Sequence, residues 1–378
     1  MKILVAPDKF KGSLSATEAC RAIIEGIHQC DSRIEAIPFP MADGGEGTCR
    51  ILTVHARGEM RFHTVSDPLF RPVRASYGWS EGQKIAFIEM AAASGLHRVL
   101  DEERNPLYTT SLGTGELIRQ AIADGAGQIV LGIGGSATND GGIGMASALG
   151  YRFLDSDGRE VKPTGENLHR IACIDDSELN TDLSKVTIKV ACDVDNPLTG
   201  PSGASFTYGS QKGADPHEVE LLEEGLRHLA IILRQHFGKD FELVPGAGAA
   251  GGLGAGALAF LQAELVPGTT LVMEQTGFAH QLPGLDLIIT GEGKIDEQTL
   301  HGKLIKGLAD EAKVWDIPVI ALCGTLELSP HQIGELGLCF AGSILTRPCS
   351  LAAATQSAYA NLRDLSFNLI QFYRIGRK

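Results

Sequence analysis

Six stretches of this sequence concentrate glycine, aspartate, glutamate, asparagine and lysine: residues 8–12, 43–47, 134–142, 193–196, 246–254 and 291–296. Each is read as a loop that follows a strand. A single carboxylate in such a turn is ordinarily solvated or caps a helix. Six loops converging at strand ends describe instead a cleft for a polar, anionic ligand. Phosphoryl transfer needs such parts: backbone N–H groups and a cation around the phosphates, carboxylates on the Mg2+ side, and one carboxylate to orient the attacking hydroxyl. The chain supplies glycine loops, lysines at Lys9, Lys11, Lys212, Lys294 and Lys303, and carboxylates at the strand ends. It has no Gly-x4-Gly-Lys-Ser/Thr motif and no protein-kinase signature set, which excludes both of those architectures. A second chemistry competes. Gly132-x-Gly134-x-x-Ala137 after a strand, with Asp155 ending the next, satisfies the loose dinucleotide fingerprint, and Gly246-x-Gly248-x-x-Gly251 matches it again. The alternative function is therefore an NAD-dependent dehydrogenase of a small hydroxy acid. Against it stand the second polar turn at residues 138–142, where the fingerprint helix should already have begun, and Pro245 before the other match.

The elements that must position these residues centre on residues 128–144, QIVLGIGGSATNDGGIG. An apolar run reads as a buried strand, a glycine-rich polar loop follows, and a second apolar run from Ile143 reads as a helix. A loop delivered onto a helix N-terminus is suited to holding an anion through exposed N–H groups and the helix dipole. Upstream, residues 2–6 form a short strand, and Ser15-x-x-Glu18 is a capping box opening a helix with Ala16, Ala19, Ile23 and Ile27 on one face. A second strand and helix complete a βαβα pattern of the parallel-sheet kind. Near Gly58 the rhythm changes. Residues 59–65, 72–80 and 84–90 read as three antiparallel strands without helices, which marks a domain boundary. Residues 216–237 are the clearest helix, and the βα rhythm returns at residues 286–289, which feed the loop 291–296.

Composition narrows the classes further. A chain of 378 residues with 43% hydrophobic and 21% charged content is expected to form two or three soluble domains. Its net charge of −13 and the lack of a basic run argue against nucleic acid and anionic membrane as partners. The eight cysteines show no CxxC spacing, so neither a zinc site nor a disulfide framework is indicated. No signal-peptide layout is seen at the start, and the uncharged residues 243–263 contain Pro245 and repeated glycines, a poor membrane span. A cytoplasmic protein with reduced thiols is expected, either a monomer or a homodimer.

The motifs APDKFKGSLSATE, MADGGEGT, FIEMAAASGL, IGGSATNDGG, ACDVDNPLTG, QKGA, PGAGAAGGLGAG and TGEGKIDEQTLHGK, in that order, closely resemble the non-P-loop glycerate kinase family over essentially the full length. The collection is specific, although no single loop is. The resemblance implies phosphorylation of D-glycerate by ATP and Mg2+, with 2-phosphoglycerate the favoured product. It implies an α/β fold of two domains. One is a flavodoxin-like parallel domain built from both chain ends, residues 1–60 and 280–378. The other is an inserted mixed α/β domain likened to restriction endonucleases, residues 61–279, with the active site in the cleft between them. On this footing Asp193 is assigned as the orienting base, with Asp8, Asp43 and Lys11 also catalytic and Lys11 holding the glycerate carboxylate. Gly134, Gly135, Ser136, Asn139, Gly248, Gly251 and Gly252 are assigned to the triphosphate, Glu292 and Lys294 to the nucleotide, and Asp140 and Asp296 to Mg2+. Asp195 is left to orient Asp193, to serve as a second metal ligand, or to cap with Asp193 the turn before Pro197. Lys9 stands where serine is more usual in the family, and would touch a phosphate or face water.

Overall fold

The structure is a computed structural model and describes residues 1–179, 183–300 and 304–375. Lys303 lies outside the described residues. The chain forms two compact units: Met1–Asp43 with Val272–Lys378, and Gly44–Leu271.

The unit built from both ends holds a five-stranded, wholly parallel sheet. Its strands lie in the order Glu35–Pro38, Lys2–Val5, Leu287–Ile295, Val319–Leu326 and Phe340–Ser343. Numbered along the chain, this is the 2-1-3-4-5 arrangement of flavodoxin-like sheets. Ile3 sits opposite Ala36 on one side and Leu287 on the other. Ile3, Leu4 and Val5 are fully buried, as expected of a short aliphatic strand covered on both faces. Helix Ala16–Cys30 begins with the Ser15/Glu18 capping box read from the sequence. Its stripe of Ala19, Ile23 and Ile27 joins Leu287, Ile289, Leu362 and Ile370 in the core. Helix Leu351–Ile375 crosses it closely at Gly26, where an added Cβ would lie 2.1 Å from the Arg363 carbonyl oxygen.

One element differs from the sequence reading. Residues 291–296 are not a loop after a strand ending at residue 289, because the strand continues through TGEGKI to Ile295 and pairs Lys294 with Thr325. Gly291 allows this, since a Cβ there would lie 2.1 Å from the Leu322 carbonyl oxygen. The twofold strand period then sends Glu292 and Lys294 to one face.

The unit Gly44–Leu271 contains a six-stranded mixed sheet in the order Glu264–Val266, Thr187–Ala191, Gln128–Gly132, Ile85–Glu89, Pro72–Ser80 and Glu59–Ser66. The first four strands are parallel and the last two antiparallel, so the three helix-free runs pair as the sequence predicts. Trp79, Tyr77, Ile88, Leu131 and Val190 fill one core against Leu117 and Leu253. Helix Pro216–Phe237, capped by Asp215 and Glu218, presents Leu222, Leu226, Leu229 and Leu233, all fully buried. Arg152–Leu154 and Cys173–Asp175 form a separate two-stranded ribbon. No described helix is long and apolar enough to cross a membrane.

The crossing at Gly26 generates a stability prediction. Gly26→Ala forces a methyl group into the Arg363 backbone, so it should destabilise the protein by about 1–3 kcal/mol, read by urea unfolding.

Candidate active site

The strands Gln128–Gly132 and Thr187–Ala191 deliver their following loops to one cavity of about 360 Å³, within the range of small-ligand pockets. Gly134, Gly135 and Ser136 form one wall; Cys192 and Asp193 form another; Tyr208, Gln211, Lys212, Ala249 and Ala250 close it. Gly134 and Gly135 are exposed, and their N–H groups donate to no protein acceptor among the described residues. Two adjacent amide donors facing a cavity are suited to an anion. Asp193 anchors one oxygen, Oδ1, to the Gly268 N–H at 2.7 Å, which fixes the carboxylate in the cavity wall.

Behind the glycine turn lies Asp140, fully buried. Its Oδ2 accepts from the Ser111 N–H (2.7 Å), the Ser111 hydroxyl (2.8 Å) and the Gly144 N–H (3.3 Å), and its Oδ1 from the Gly142 N–H (3.1 Å). The Met145 N–H donates to Ser111 Oγ at 2.9 Å. The start of helix Ile143–Leu149, which the sequence assigns to a ligand anion, is thus satisfied by the protein's own carboxylate and hydroxyl. Burial pushes the Asp140 carboxyl above its usual range, and the hydrogen bonds from Ser111, Gly142 and Gly144 pull it back. Lys212, also buried, donates from Nζ to Ser136 Oγ at 2.8 Å and to the Thr138 carbonyl at 2.7 Å. Burial pulls its pKa down from 10.5 to about 7, while the Asp140 charge pushes it back up. The unfolded lysine keeps its proton to higher pH, so this group's contribution to stability grows as pH rises from about 7 towards 10.5.

The cavity therefore gathers Gly134, Gly135, Ser136 and Asp193 from the residues assigned by sequence. Others are placed differently. Asn139 is fully buried, with Nδ2 on Ser205 Oγ at 3.3 Å, and is not part of the cavity wall. Gly248, Gly251 and Gly252 are buried backbone contacts. A Cβ would lie 2.1 Å from the Pro197 carbonyl oxygen at Gly248 and 2.0 Å from that of Thr138 at Gly251. Their neighbours Ala249 and Ala250 line the cavity instead. In the other unit, Asp8 is buried and accepts from the Lys9 N–H at 2.6 Å, while the Lys9 ammonium pairs with Asp43 at 3.6 Å. Lys11 lines a separate cavity of about 310 Å³ with Phe10, Gly293 and Thr325. Lys294 bridges Glu327 (2.8 Å) and Asp296 (3.3 Å), and these carboxylates hold it above the usual lysine value. Glu292 accepts from Thr299 Oγ1 at 2.9 Å.

The two carboxylates assigned to Mg2+ do not fit that role as they stand. Asp140 has both oxygens committed inside the protein, and Asp296 is engaged by Lys294 and by the Gln298 N–H at 2.9 Å. Among the described residues, no three His, Cys, Asp or Glu side chains gather as a metal site. Sequence reasoning named Lys212 only as one of five lysines and missed Tyr208. Neither sits in a loop with a periodic signal, and the QKGA stretch containing Lys212 was the one available cue.

The carboxylate cage has a measurable consequence. Asp140→Asn turns an amide towards backbone donors, so it should cost about 1.5–3 kcal/mol for each charge-assisted bond lost. Thermal unfolding of the variant reads this loss.

Comparison with known proteins shows the family of the chain. The model of the glycerate kinase family matches residues 3–374. A glycerate kinase of Bacillus cereus is 46% identical over 376 residues, covering 100% of this chain and 99% of the relative. A glycerate 2-kinase of Escherichia coli (strain K12) is 44% identical over 378 residues, again covering 100% and 99%. A crystal structure of a candidate glycerate kinase 2 from Salmonella typhimurium LT2 superposes with a TM-score of 0.92 at 43% identity, covering 100% of this chain and 99% of that one. The chain belongs to the glycerate kinase family, a family of phosphotransferases.

Proposed function

We propose that the protein transfers the γ-phosphoryl group of ATP to D-glycerate, with the 2-hydroxyl as acceptor and 2-phosphoglycerate as product. The observation that carries this reading is the cavity in which the Asp193 carboxylate shares the walls with the Gly134 and Gly135 N–H groups, which donate to no acceptor among the described residues. The glycerate 2-kinase name of the Escherichia coli relative supports the choice of hydroxyl. Asp193, fixed through Gly268, orients the glycerate hydroxyl and accepts its proton as the oxygen bonds to the γ-phosphorus. The bond from that phosphorus to the bridging oxygen of ADP breaks in the same displacement. The Gly134 and Gly135 N–H groups take charge on the phosphoryl oxygens, where preorganised donors act most strongly. Holding both reactants in such a site supplies up to about 7–11 kcal/mol of barrier reduction. Mg2+ would arrive with the nucleotide, since it is commonly held by substrate phosphates and few protein carboxylates.

The dehydrogenase reading loses its structural footing. The helix after Ala137 begins only at Ile143, and Asp155 follows a strand of the two-stranded ribbon rather than of the main sheet. The second match leads into helix Ala249–Phe260 through three left-handed residues, Ala250 to Gly252.

Incubation with ATP, Mg2+ and D-glycerate should release ADP, and phosphorus NMR should identify 2-phosphoglycerate. NAD(H) turnover without ADP would hand the case to the dehydrogenase. Asp193→Asn should lower kcat by about 10²–10⁴ with KM for glycerate near its original value. An unchanged kcat removes Asp193 from the chemistry. Gly134 has open space for a Cβ, whereas Gly135 holds φ +74°. Gly134→Ala should therefore weaken ATP binding at unchanged melting temperature, while Gly135→Ala should also lose about 1–2 kcal/mol of stability.

A further inference from the structure

We infer that Lys212 is the cation of the phosphoryl site, holding a phosphate oxygen above the Gly134 and Gly135 N–H groups. An ammonium has three hydrogens to donate. Two of them go to neutral acceptors, Ser136 Oγ and the Thr138 carbonyl, which fix Nζ at the base of the glycine turn. Among the described residues no carboxylate forms an ion pair with it. The third hydrogen is left for the cavity that Lys212 lines. A buried charge without a partner is expensive to keep. An incoming phosphate supplies the partner, and Ser136 keeps the lysine aimed at it.

The charged surroundings agree. Asp140 acts on Lys212 through space, but its own oxygens are taken by Ser111, Gly142 and Gly144. Cys192, Asp193 and Tyr208 share the cavity wall. On the far side Gly213 packs against the Arg104 backbone, and that guanidinium pairs with Asp101 at 2.7 Å. Among the described residues, Lys212 is thus the one lysine or arginine in the cavity lining. With its pKa near 7 before an anion arrives, it is largely neutral at pH 8.5, and the anion brings a proton with it.

The inference rests on the phosphotransferase reading only for the identity of the anion. Titration calorimetry with ATP at pH 8.5, in two buffers of different ionisation enthalpy, tests it without turnover. The wild-type protein should take up a proton on binding. Lys212→Met should bind ATP about tenfold or more weakly and lose the uptake. Wild-type affinity in Lys212→Met overturns the inference. Wild-type ATP binding without proton uptake overturns it as well, and this measurement decides if the variant does not fold. Proton-linked ATP binding with no turnover of glycerate would sink the kinase reading and leave Lys212 as the anion cation.

Discussion

A buried carboxylate holds the loop of residues 134–142 in shape. Asp140 has no solvent to stabilise its charge, so four protein donors must do so, and they come from three places in the chain. Ser111 is the residue before helix Leu112–Ala123, Gly142 caps helix Ile143–Leu149, and Gly144 lies in its first turn. Hydrogen bonds to a charged group contribute about 1.5–3 kcal/mol each, more than neutral turn bonds supply. The carboxylate thus binds two helix starts to one turn. The strand-to-helix connection is left with its outer corner, Gly134 to Ser136, turned towards the cavity. Lys212 grips the same turn from the other side, through Ser136 and Thr138.

Glycines serve two distinct purposes around this turn. Those of residues 246–256 interlock with it: Gly251 accepts the Gly141 N–H at 3.0 Å, and Gly256 sits where a Cβ would meet the Gly141 carbonyl oxygen at 2.6 Å. They let two backbones approach without side chains between them. Gly134 is the opposite case: among the described residues nothing lies within 4 Å of the position a Cβ would take, and no acceptor takes its N–H. Both kinds look alike in sequence, as short repeats of Gly and Ala.

That ambiguity explains which parts of the site were legible. Helix Pro216–Phe237, the Ser15/Glu18 cap and the antiparallel strands follow from local periodicity and capping chemistry, so their positions could be read directly. That Gly134, Gly135, Ser136 and Asp193 line one cavity could be expected as well, because a loop at the carboxyl end of a parallel strand is where ligands gather. Whether a loop residue faces out or in is a tertiary fact. Asn139 and Asp140 follow Ser136 closely, yet they turn inward, and only the positions of Ser111 and Ser205 decide this. Likewise Glu292 and Lys294 read as a polar loop until pairing with Val319–Leu326 extends the strand through them. The motif resemblance identified the family, and it could not assign the inward or outward role of each residue.

The placement of strand Lys2–Val5 has a consequence for biosynthesis. Its neighbours are Glu35–Pro38, made soon afterwards, and Leu287–Ile295, separated from it by the whole of Gly44–Leu271. At ordinary elongation rates of about 5–20 residues per second, the first strand waits on the order of 10–60 s for its second partner. During that interval an apolar edge on the nascent chain is unpaired, an open template for aggregation. The inserted unit, whose strands all lie between Glu59 and Val266, can fold on the ribosome before this edge is covered. Chaperone demand during translation should therefore centre on strand Lys2–Val5, although its Ile3, Leu4 and Val5 are fully buried once the sheet is complete.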